Sequence, residues 1–199
     1  TAMNAASFEK WVKILFVSLG IILTVTIAFS TLGYISNSKV HYANFVLGIM
    51  VLSALYGALN LFEEFKKNSY QRTLFFRSGL LLVGATLAIV GAAFVRVNAL
   101  RLDQIHPFFE DFDFYMGMVL LTGVLLLTWF HWGLILTSLI ALTVIYFFFG
   151  QYVTLPVLML PEYDPNFVMN YLGLGLAEGM FWFARVAADN IYFLIIYAS

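Results

Sequence analysis

The residues of this chain best suited to chemistry are three charged side chains in an otherwise apolar stretch: Glu178, Arg185 and Asp189. Separated by seven and four residues, they share one face of a helix with Trp182. An isolated charge is costly in lipid. Such a face therefore reads either as an ion or substrate path or as an internal ion pair that fastens the helix to a partner. Arg185 and Asp189, one turn apart, are spaced to neutralise each other. A coupling site needs further polar groups from neighbouring helices, and the sequence identifies none. Trp182, Arg185, Asp189 and Glu178 are accordingly read as candidate partner contacts.

Other candidates have plainer readings. Gly173, Gly175 and Gly179 stand in Gly-Leu-Gly-Leu-Ala-Glu-Gly, which is not the G-x-G-x-x-G of a dinucleotide loop, and no strand precedes them. A joint before the last helix is the simpler use. A b-type haem needs two histidines at one depth on facing helices. His41 and His106 are expected in connections at one surface and His131 at the opposite one, in capping and interfacial roles. Glu110, Asp111 and Asp113 read as a solvated loop cluster, and no Ser/His/Asp set shares a depth. The chain has no cysteine, which excludes disulfides, thiolate metal sites, iron–sulfur clusters and thiol nucleophiles. The expectation is a non-enzyme with no cofactor or metal of its own.

The elements that must position these residues follow from composition. The chain is 62% hydrophobic and 11% charged over 199 residues, with mean hydropathy +0.92. A soluble domain is about 45–50% apolar and about 25% charged, so this chain reads as an all-α integral membrane protein of five to six transmembrane helices. Its net charge of −1 lacks the basic stripe that nucleic acid requires. The first apolar run, 12–35, is long for a signal-peptide core of about 7–15 residues and reads as a retained signal anchor. Runs at 42–62 and 73–95 follow, the latter with Arg77 near enough to its start to snorkel into the headgroups. Residues 114–150 would make one helix of roughly 55 Å, against a hydrocarbon core of about 30 Å. The run is therefore expected to break between Thr128 and Gly133, where Trp129 and Trp132 suit an interface. Gly84, Ala88, Gly91 and Ala92 form a small-residue stripe for close helix packing. Three units result: a five-span bundle over 1–150, a proline-rich surface connection over 151–166, and a terminal membrane helix over 167–199. Lys10, Lys13, Lys66, Lys67, Arg72 and Arg77 fall at one membrane side, and Lys39, Arg96 and Arg101 at the other. That bias predicts a cytoplasmic N-terminus.

From Asp113 onward the order of landmarks becomes specific. It runs Asp113, Gly117, Gly133, Tyr146-Phe147-Phe148-Phe149-Gly150 and Pro156. Then come Tyr171-Leu172-Gly173-Leu174-Gly175, Glu178-Gly179-Met180-Phe181, and Tyr192 to Ala198. Over roughly these last 90 residues the chain resembles the tripartite ATP-independent periplasmic (TRAP) transporter permeases, particularly the fused permeases of the TAXI branch. The first three spans match in number and hydrophobicity only. The resemblance implies a small scaffold domain followed by the first helix of the large transport domain, in a bacterial inner membrane. It further implies sodium-driven uptake, by a larger integral membrane subunit, of carboxylate-type solutes delivered by a periplasmic solute-binding protein. The chain departs from the family at Phe130-His131-Trp132, where a basic pair is usual. It departs again at Trp182 and Phe183-Ala184-Arg185, where small and polar residues are usual.

Two functions compete on these terms. One is a small permease subunit of a TRAP-type transporter, with the transport core on a separate chain. The other is a TRAP-derived structural subunit of another membrane assembly, such as a photosynthetic pigment–protein complex, with transport lost. A haem- or quinone-binding redox subunit ranks last, since it rests on the three histidines alone.

Overall fold

In lipid a backbone must satisfy its own polar groups, which leaves long apolar runs with helix as their only open-ended structure. The computed structural model follows that constraint; it describes residues 5–34, 37–67, 71–176, 178–192 and 194. Helices α1 (Ala5–Thr31), α2 (Ser38–Lys66) and α3 (Gln71–Val97) lead into a short α4 (Ala99–Ile105). Helix α5 (Asp111–Trp132) and α6 (Leu134–Phe149) follow, then a 3-10 turn, Gly150–Tyr152. No strand occurs among the described residues. Five helices are long and apolar enough to cross a membrane: Ser7–Ser30, Ser38–Lys66, Thr73–Val97, Asp111–Trp132 and Leu134–Tyr152. The protein is thus a multi-pass, all-helical membrane protein.

Local chemistry fixes the boundaries. The side chain of Asn37 accepts from the backbone amides of Lys39 and Val40 and caps α2. Glu110 and Asp113 form a reciprocal capping box that starts α5. The long run 114–150 breaks at Gly133, whose φ of 84° is a left-handed conformation open to glycine at little cost. Helix α1 begins seven residues before the expected apolar run. Its early charges are paired there: Glu9 pairs with Lys13 at 2.8 Å and with Lys66 of α2.

Among the described residues the terminal segment, expected to be a membrane helix over 167–199 with a glycine joint at Gly173, Gly175 and Gly179, is interrupted at that joint. Helix α7 (Pro165–Met169), capped by Asp164, begins inside the proline-rich connection and runs into a π-turn, Asn170–Leu174. The chain then bends, and α8 (Gly179–Val186) starts afresh before a second π-turn, Ala187–Tyr192. Gly179 permits this bend: its φ is 52°, and a Cβ there would lie 1.5 Å from the Tyr171 carbonyl oxygen. Residues 193 and 195–199, which hold most of the last landmark, lie outside the described residues.

Each long helix packs on its sequence neighbour: α1 on α2, α2 on α3, α3 on α5, and α5 on α6. The closest pair is α3 with α5. A Cβ on Gly123 would stand 2.2 Å from the Ala88 amide nitrogen, and one on Gly91 would stand 2.6 Å from Leu120 Cβ. Backbone is in contact with backbone, which is how small residues bring helices together in lipid. Nearer the start of α5, a Cβ on Gly117 would meet Met169 Sδ at 2.6 Å, so the same helix seats the terminal segment. Helix α6 buries only Thr137 and leaves Ile135 89% exposed, a surface suited to lipid. Gly123→Ala should destabilise the bundle by about 1–3 kcal/mol through overpacking. Gly79→Ala, where nothing lies within 4 Å, should be neutral. Thermal unfolding of both variants in detergent checks the contrast.

Candidate functional site

One end of the bundle gathers the polar residues that the sequence scatters. It is built from the start of α2, the end of α3, α4 and the start of α5. Asp113, expected in a solvated cluster, is instead fully buried at 0% exposure. Arg101 of α4 grips both its oxygens, and the Glu110 amide donates to Oδ2 at 3.2 Å. The capping role pulls Asp113 inward, whereas Glu110 and Asp111 stay exposed. That hydrogen bond to Asp113 is the main reason the Arg101 guanidinium titrates even higher than an ordinary arginine. Two further clamps close the end: Lys39 donates to Asp103, and Arg96 donates to Asn44.

The terminal segment is latched to this end at two points. Before α8, Glu178 Oε2 accepts from Asn170 Nδ2 at 2.8 Å, and the same amide nitrogen lies 2.7 Å from His106 Nε2. Asn170 is buried within the π-turn and His106 ends α4, so three elements meet here. Beyond α8, Asp189 Oδ2 accepts from the Tyr42 hydroxyl at 2.9 Å, with His41 Nε2 3.8 Å from Oδ1. Arg185 Nε stands 4.0 Å from Asp189, and its guanidinium lies over the Tyr42 ring at 5.9 Å. Between the two latches Phe181 and Ala188 are buried against the bundle.

The four candidate residues therefore divide. Glu178 and Asp189 turn inward and are engaged by the chain itself. Trp182, at 47% exposure, and the Arg185 side chain, at 59%, turn outward beside Phe183 at 68%. The neighbouring polar groups that the sequence did not identify are His41, Tyr42, His106 and Asn170. His41 is not in a connection but in the first turn of α2, 1% exposed. Its buried ring nitrogens make no hydrogen bond among the described residues. His131 lies at the other end of the bundle, 2.9 Å from Ser53 Oγ and stacked on Tyr56. Among the described residues no group of three His, Cys, Asp or Glu side chains is placed to hold a metal ion.

The arrangement is suited to presenting a surface. Two carboxylates fix a short helix on a rigid end, and an aromatic and cationic face is left outward. The fold and site define a multi-pass helical membrane protein with a latched terminal segment. Comparison with family models, curated proteins and solved structures gives no match. Arg101→Ala should strand the buried Asp113 carboxylate and cost about 1–3 kcal/mol, moderated because the guanidinium side is partly exposed. Arg101→Ala combined with Asp113→Asn should cost less than the two single changes summed, as a double-mutant cycle in detergent would measure.

Proposed function

We propose that this chain is a non-catalytic membrane scaffold, the small permease subunit of a TRAP-type secondary transporter. On this reading it lies in a bacterial inner membrane with its N-terminus cytoplasmic. A larger partner chain carries out sodium-driven uptake of carboxylate-type solutes supplied by a periplasmic binding protein. The observation that carries the reading is the division of α8: Glu178 and Asp189 hold it to the bundle while Trp182 and Phe183 face away, and Arg185, lying over the Tyr42 ring, keeps 59% of its side chain exposed beside them. A helix fastened on one side and aromatic on the other suits a docking element, since interface anchors are enriched in Trp and Arg. The landmark order from Asp113 to Gly179 supports the family. The charge sidedness supports the orientation. The end with the α2–α3 turn carries six of the ten Lys and Arg and three of the eleven Asp and Glu. The other end carries four and eight.

The outward Trp182 and Arg185 also favour a second reading, a TRAP-derived structural subunit of a different membrane complex, a pigment–protein assembly included. Bulky groups where the family keeps small ones suit a neighbour other than a transport core. Purifying the native complex under mild detergent decides between them. The first reading predicts a larger permease chain as a stoichiometric partner and no visible absorbance. A pigmented complex without such a chain would replace it with the second.

A further inference from the structure

The opposite end of the bundle holds a polar cavity that neither latch nor docking face uses. About 420 Å³ in volume, it lies between α2, α3 and α5. Ser53, Tyr56 and Asn60 line it from α2, Arg77 from α3, and His131 and Trp132 from the end of α5. Its level in the bundle follows from helix lengths. Helix α5 turns at Gly133, and its last residues meet α2 at Ser53 and Tyr56. Helix α2 carries on to Lys66, about 15 Å further at 1.5 Å per residue. The turn into α6 therefore leaves a step where the shorter helices stop and the α2–α3 pair continues. The turn between two spans marks the membrane boundary, so the step lies at headgroup depth.

The lining suits a phosphate at that depth. The Arg77 guanidinium sits 5.0 Å from the centre of the Phe130 ring and donates to Glu64. Glu64 accepts from one nitrogen of a group that carries five N–H donors, so others remain for a second acceptor. The Asn60 amide and the His131–Ser53 pair add neutral hydrogen-bonding groups. Tyr56 and Trp132, 51% and 75% exposed, form a rim of the kind that sits among headgroups. The surroundings set the sign. This end carries six Lys and Arg against three Asp and Glu, a net of +3, while the other end is net −4. Basic pockets between membrane helices at the more positive face attract anionic headgroups.

We propose that this cavity binds the headgroup of an anionic phospholipid, with the phosphodiester held by Arg77 and Asn60 beside the His131–Ser53 pair. Trp132 and Tyr56 flank the glycerol at the step, and the acyl chains run along the exposed apolar helix faces. This site is independent of the transporter reading. Native mass spectrometry of the full chain, with phosphatidylglycerol, phosphatidylcholine or inorganic phosphate added in detergent, tests it. One phosphatidylglycerol per chain should be retained, and Arg77→Gln and Asn60→Leu should each weaken it about tenfold, the loss of a charge-assisted or buried hydrogen bond. If Arg77→Gln fails to fold, Asn60→Leu and His131→Phe carry the test. Equal retention of phosphatidylcholine, unchanged retention by the variants, or displacement by inorganic phosphate would each overturn the proposal.

Discussion

Apolar surface does not by itself bring helices together in lipid, because the solvent is as apolar as the side chains. The bundle therefore depends on how closely the α3 and α5 backbones approach. Gly123 against Ala88 and Gly91 against Leu120 set that distance, and dispersion contacts accumulate along the whole pair. Two elements at the polar end are referred to α5. Asp113, at its start, takes Arg101 and so places α4. Gly117, one turn on, gives Met169 and Leu174 a seat and so places the terminal segment. A single helix with two glycines and one buried carboxylate orients three other elements.

The terminal segment gains its position from polar contacts as much as from packing. Glu178 and Asp189 flank α8, and each finds a partner on a different part of the bundle. Charges that would be expensive alone in lipid are used at the bundle end, where hydrogen bonds compensate them. The outward face is then left to Trp182, Phe183 and Arg185. The proposed function rests on this asymmetry: the inward side belongs to the chain, and the outward side is exposed.

Much of the fold was legible in the sequence, because lipid enforces a simple rule. Long apolar runs became the five spans, and an over-long run had to break where Gly133 allowed a left-handed residue. The small-residue stripe at Gly84 and Gly91 announced a close contact, although its partner face on α5 was not recognisable from local pattern. The site was less legible. Glu178 and Asp189 stood out as charges, but Tyr42 lies 147 residues from Asp189, and His106 lies 64 residues from Asn170. No spacing rule links such distant positions. Asp113 reads in sequence like its exposed acidic neighbours, yet it is fully buried. The Glu110-to-Asp113 separation, a capping-box spacing, was the signal that could have drawn it inward. Gly173, Gly175 and Gly179 read as a joint before the last helix, and the chain bends there. Gly179 and the two π-turns interrupt the helix, since a close approach to Tyr171 leaves no room for a side chain.

On the proposed reading, the outward face of α8 meets a larger membrane protein. A photo-crosslinking amino acid at Trp182, irradiated in native membranes, tests it most directly. One dominant adduct with a larger integral membrane chain is expected, absent when the probe replaces Ile135 on the exposed side of α6. Adducts confined to lipid, or identical products from both positions, would contradict it.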